Sequence, residues 1–104
     1  MTRRLDDAAL AQHLAALPRW RYTPDRGGVI GREFVFDDFG QAFSFMAELA
    51  LFAERHDHHP EWSNVYNRVR IELTTHDANG VTAKDVDFAR AADRCHDARR
   101  GGRG

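Results

Sequence analysis

The chain of 104 residues has a single cysteine, Cys95, which excludes an intrachain disulfide framework. It also removes the paired thiols from which most structural zinc sites are built. Cys95 falls in a helix-like segment and reads as a small, half-buried apolar residue, not a nucleophile. No apolar run approaches the roughly 20 residues that span a bilayer. The N-terminal MTRRLDDAAL lacks the apolar stretch of a signal peptide. A soluble, cytoplasmic protein is therefore expected. Charge is nearly balanced, at −1 with the histidines neutral, and gives no argument for nucleic acid or for an anionic membrane surface. There is no internal repeat and no internal linker.

What remains is the composition of one small globular domain, 42% hydrophobic and 30% charged. Residues 1–97 are expected to form it. Residues 98–104 are expected to be a flexible Arg/Gly tail, because glycines cost much backbone entropy to order.

Leu5 to Leu17 predicts a short helix. Asp6 caps it, Leu5 can staple onto Leu10, and Pro18 stops it. Trp20 to Tyr22 and Val29 to Phe36 predict two strands joined by the turn residues TPDRGG. Ile30, Phe34 and Phe36 share a face by period-2 counting.

The longest helix is expected over Phe39 to Arg55. Phe39, Ala42, Phe43, Met46, Ala50 and Ala53 make one apolar face, and Phe45, Leu49 and Phe52 a second. A helix apolar on two sides is usually covered on two sides. One face is assigned to the chain's own sheet, and the second stripe to a homo-oligomer contact. A hairpin follows, with strands Trp62 to Tyr66 and Val69 to His76 about a turn at Asn67-Arg68. The last helix runs from Ala83 to Asp97, opened by a capping box of Thr82 and Asp85. The order α-β-β-α-β-β-α predicts an α+β fold, a four-stranded antiparallel sheet with helices packed on one face.

Residues 54 to 62, ERHDHHPEW, carry the chemistry: three of the chain's six histidines lie within four positions. Three readings compete. Zinc would need three converging ligands, yet adjacent helical residues such as His58 and His59 diverge. A histidine at a helix C-terminus can simply serve the dipole, which accounts for one, such as His56, but not for two against a proline. Acid–base catalysis suits imidazole, whose unperturbed pKa lies near neutrality. Two neighbouring rings resist double protonation, so one can hold a proton while the other accepts one. Glu54 and Asp57 could orient the rings.

The residues resemble the pterin-4a-carbinolamine dehydratase family. The matching pattern is Glu54, three residues, His58-His59-Pro60, five residues, Tyr66, nine residues, His76, eight residues, Asp85. DHHPEW, NVYN, the TTH ending and FDDFGQAFSFM are similar as well, and the resemblance covers residues 5 to 95. It implies dehydration of 4a-hydroxytetrahydropterins left by aromatic amino acid hydroxylases, in tetrahydrobiopterin recycling, with no metal and no cofactor beyond the pterin substrate. His58, His59 and His76 then map onto the family's active-site histidines, and Glu54 and Asp85 onto its carboxylates. Its pterin-contacting segments map onto Asp57-His58-His59 and Thr74-Thr75-His76-Asp77. Trp20 and Trp62 could pack near the planar ring, though each also suits a core. Some relatives act as protein partners or assembly factors, a role the second apolar stripe could serve.

Overall fold

The computed structural model describes residues 2–101. Helix α1, Asp7–Ala15, is capped by the Asp6 carboxylate, which accepts from the Ala9 amide at 2.8 Å. Strands β1, Arg21–Thr23, and β2, Val29–Val35, flank a 3-10 turn at Asp25–Gly27. Helix α2, Phe39–His56, starts on the Asp38 side chain, which accepts from Gln41. Strands β3, Glu61–Val65, and β4, Arg68–Leu73, form the hairpin. A second 3-10 turn at His76–Ala78 leads into α3, Ala83–Gly101.

The strands form one sheet in the order β1-β2-β4-β3, antiparallel throughout. Phe34 pairs with Val69, and Ile71 with both Arg32 and Trp62. Side chains alternate across the sheet, so Ile30, Phe34, Val69, Ile71 and Leu73 share the face covered by the helices, and all are buried. Glu33, Arg68, Arg70 and Glu72 take the opposite, open face. The fold class thus agrees with the sequence. One ion pair ties the layers together: Arg32 on β2, its side chain almost fully buried, reaches Asp93 on α3, which also accepts from the Trp20 indole at 2.9 Å. Among the described residues, no helix is long and apolar enough to cross a membrane.

Four expectations shift. The inward face of α2 draws on both stripes: Phe45 and Leu49 have no exposure and pack in the chain's own core with Ala42 and Ala53 of the first face, and Phe52 meets Phe88 edge-on. The stripe assigned to another subunit therefore faces inward. Phe39, Phe43 and Leu51 are the exposed apolar residues instead, at 49%, 58% and 66%. Phe45 packs on Phe34 and Phe36, with ring centroids 4.9 and 4.8 Å apart, and Phe52 on Phe88 of α3, which turns this side of the helix inward.

The hairpin loop is Tyr66-Asn67, one residue earlier than expected. Asn67 closes it, with its Nδ2 donating to the Phe36 carbonyl while the Phe36 amide donates to the Asn67 carbonyl. Strand β4 ends at Leu73, before Thr74, because the Thr74 hydroxyl turns inward to the Gly28 carbonyl at 2.8 Å. Helix α3 continues beyond Asp97, where Arg99 is held by Glu48 and Ser44 at 3.1 and 2.7 Å. The remainder of the expected tail, residues 102–104, lies outside the described residues.

Two measurements test this packing. Leu49→Ala should cost about 3 kcal/mol in urea unfolding, as a fully buried leucine truncation does, whereas Phe43→Ala should stay within about 0.5 kcal/mol. The reverse ranking would restore the original assignment of faces. Burial, with the Glu48 hydrogen bond second, pushes the Cys95 thiol up to about 11. At pH 8 it should react with a disulfide reagent roughly a hundredfold more slowly than free cysteine, because so little is thiolate.

Candidate active site

Helix α2 ends on Asp57, which takes the left-handed conformation at φ 49, ψ 45. Aspartate tolerates that conformation better than most residues, since its short polar side chain can bond locally. The Asp57 amide closes on the carbonyls of Ala53 and Glu54, and the His58 amide reaches Ala53 at 3.1 Å. Pro60 then blocks any return to helix. This sharp reversal separates two adjacent histidines: His58 turns into the molecule, with 11% of its side chain exposed, and His59 points outward at 56%.

His58 meets a carboxylate from the far side of the fold. Its Nε2 lies 2.6 Å from Oδ1 of Asp85, which has no exposed surface. The other oxygen, Oδ2, accepts from the Thr75 hydroxyl at 2.8 Å and from the Thr82 amide at 2.9 Å. Proton directions follow from counting. The Thr75 hydroxyl gives its single proton to Asp85, so at 2.8 Å it accepts from the Thr82 hydroxyl, which in turn accepts from the Lys84 amide at 3.2 Å. Asp85 is thus an acceptor at both oxygens, and Nε2 of His58 is the donor. That fixes the tautomer of the neutral ring and leaves Nδ1, which bonds no described residue, as the nitrogen free to exchange a proton.

The other two histidines are loosely held. His59 Nε2 lies 2.8 Å from Oε1 of Glu54, one turn back along α2. His76 opens the 3-10 turn after β4, 76% exposed, with Nε2 3.7 Å from Oε2 of Glu61. That same Glu61 oxygen accepts from Arg26 at 2.7 Å. The Arg26 hydrogen bond and charge hold the Glu61 carboxyl below the usual range.

The structure thus joins His58, Asp85 and Thr75 directly, with His76 next in chain to Thr75 and His59 next to His58. Asp57 and Asp77 are exposed on the two turns. Thr74 is buried with its hydroxyl committed to Gly28, so its backbone is what remains for a ligand. Trp20 is a core residue bonded to Asp93. Trp62 is half-buried beside Ile71. His56 stacks on Phe52 with ring centroids 4.0 Å apart. Among the described residues, no three imidazole, thiol or carboxylate groups converge as metal ligands would. A groove of about 390 Å³ on the open sheet face, lined by Arg19, Arg21, Arg70, Glu33 and Glu72, contains none of these histidines.

Sequence reasoning did not single out Glu61, Arg26 or Thr75's partner Thr82 as members of the site. Glu61 was legible in principle, as the acid after Pro60; Arg26 sits in a turn remote in sequence and carries no motif. Asp85→Asn should cost about 2–3 kcal/mol in thermal or urea unfolding, because the new amide opposes a donor with a donor at a fully buried position. A loss under 0.5 kcal/mol would mean that the carboxylate is not the acceptor described.

The family described as "Pterin 4 alpha carbinolamine dehydratase" matches residues 3–95. A protein of Rhodopseudomonas palustris named "Putative pterin-4-alpha-carbinolamine dehydratase" is 56% identical over 91 residues, covering 88% of this chain and 89% of that one. One of the same name from Rhodospirillum rubrum is 54% identical over 94 residues, covering 90% and 97%. The crystal structure of a transcriptional coactivator/pterin dehydratase from Brucella melitensis superposes with a TM-score of 0.85 at 46% identity, over 90% of this chain and 99% of that one. Sequence and fold agree over the stretch that carries the histidines: the chain belongs to the pterin-4a-carbinolamine dehydratase family.

Proposed function

We propose that the protein is a hydro-lyase that dehydrates 4a-hydroxytetrahydropterins to quinonoid dihydropterins. The observation that carries this is one anchored imidazole, His58 on buried Asp85, beside two exposed ones, His59 and His76. The reaction needs a proton delivered to the 4a-hydroxyl, so that the C4a–O bond breaks and water leaves. It needs the N5 proton removed, so that the electron pair closes C4a=N5. One proton is given and one taken, no electrons are transferred, and the pterin serves as substrate without a further cofactor.

His59 and His76 are assigned the two proton transfers, and His58 orients the substrate or shares the acid role. The geometry supports that division. His59 and His76 are solvent-reachable and loosely paired, as groups that exchange protons during turnover should be. His58 is held by a buried carboxylate and has one free nitrogen. Glu54 orients His59, and Asp85 orients His58. The backbone at Thr74-Thr75 and the Asp57 and Asp77 turns supply polar groups for the pterin edge. Such a substrate is supplied by aromatic amino acid hydroxylation, which places the protein in pterin recycling.

Self-association through α2 is part of the same proposal, now on Phe39, Phe43 and Leu51. The tilted, exposed Phe39–Phe43 pair, with ring centroids 5.9 Å apart, also favours a second role in binding another protein. It is secondary, since a binding module has no use for an anchored imidazole beside two exposed ones.

Dehydration can be followed directly. A hydroxylase generates the 4a-hydroxytetrahydropterin, and quinonoid formation is read by absorbance with chelator present. Acceleration is expected, falling about 10²-fold or more in His59→Ala. No acceleration by folded protein would overturn the assignment, and a chelator-sensitive rate would overturn the metal-free mechanism.

A further inference from the structure

The two 3-10 turns of the chain are pressed together. Gly27, at φ 83, closes the first turn so tightly on the second that a Cβ there would sit 2.1 Å from the Asn79 carbonyl oxygen. Only glycine fits that approach. The residue before it, Arg26, is itself left-handed, at φ 55, ψ 34. A long side chain rarely takes that conformation unless the surroundings impose it, and such outliers gather at functional sites.

The strained geometry aims Arg26 at β3. Its Nη1 donates to Oε2 of Glu61 at 2.7 Å, and its Nη2 stands 3.9 Å from Glu72. Oε2 of Glu61 is also the atom that faces His76 Nε2 at 3.7 Å. Three segments distant in sequence thus meet at one carboxylate oxygen. Among the described residues, Glu61 is the ion-pair partner that His76 has.

Stability does not account for the arrangement. Arg26 and Glu61 side chains are 44% and 47% exposed, and exposed ion pairs contribute little. We propose that Glu61 is a positioning residue for His76, and that Arg26 acts through it by aiming the carboxylate. This deepens the dehydratase assignment and rests on it for the catalytic consequence. With the substrate bound, His76 would present its ring at the angle set by Glu61. Arg26 itself touches no reacting atom. The Arg26 hydrogen bond and charge also lower the Glu61 carboxyl, in keeping with a pair held at 2.7 Å.

Two readouts test the proposal independently. The first is the ¹⁵N resonances of the His76 ring, which report its environment whether or not the protein turns over a pterin. Glu61→Gln should move them and leave those of His13 in place. Arg26→Ala should move them in the wild-type background but not in the E61Q background, because Arg26 acts through Glu61. Arg26→Lys, which keeps the charge, should recover part of the shift. Arg68→Ala, which breaks an equally exposed pair with Glu33 at the far end of the sheet, should do nothing.

The second readout is kinetic. Glu61→Gln and Arg26→Ala should each lower kcat about 3- to 10-fold with KM changed less than about twofold, and the double variant should be no worse than Glu61→Gln alone. Unmoved His76 resonances in Glu61→Gln would overturn the positioning role, as would an Arg26→Ala effect that persists in the E61Q background. If the wild-type protein dehydrates nothing, the dehydratase assignment falls, and the resonances alone decide the Glu61–His76 link.

Discussion

Asp85 has two oxygens and three donors to satisfy, all of them away from water. Burying a carboxylate costs several kcal/mol unless its lone pairs are filled. Here they are filled by the His58 ring, the Thr75 hydroxyl and the Thr82 amide. Each belongs to a different part of the fold: the end of α2, the exit of β4 and the start of α3. The carboxylate therefore fixes how these segments meet, and the orientation of His58 follows from that meeting. The helix cap and the anchored imidazole are one interaction viewed from two sides.

The site consequently has a rigid wall and a soft rim. The wall is the Asp85 cluster, closed by a chain of hydroxyls whose proton directions admit one arrangement. The rim is His59 with Glu54 and His76 with Glu61, pairs exposed enough that solvent screens them. Such pairs add little to folding, so their value lies in where they hold the rings. In the proposed acid–base role, the fixed ring would set the substrate and the exposed rings would carry protons.

Much of this was legible in the residues. The Asp6 cap, the period-2 strands and the Thr82–Asp85 capping box are local signals, and each led to the right element. The ERHDHHPEW stretch marked the candidate site because a helix dipole accounts for one histidine and not for two against a proline. What was not legible was set by tertiary contact. Both stripes of α2 are apolar, and only tertiary contact takes Phe45 inward onto Phe34 and Phe36 and Phe52 onto Phe88. The end of β4 depends on Thr74 finding the Gly28 carbonyl, which no window around Thr74 contains. Arg26 joins the site only because Gly27 lets one turn lie on another. Spacing gave Asp85 as a helix cap and the family resemblance gave it as a site carboxylate, yet its bond to His58 depends on a partner 27 residues away.

That separation has a consequence for the order in which the molecule matures. The reversal at Asp57 and the β3–β4 hairpin close over short stretches of chain and can form from local contacts. The anchor for His58 cannot, because it arrives with α3, which follows the hairpin in the chain. A chain emerging from the ribosome therefore carries its histidines well before it can aim them. Any fraying of the first turn of α3 would release the ring while leaving the sheet intact. Competence for chemistry is thus tied to completion of the fold, and half-made or partly opened molecules carry imidazoles that are present but unaligned.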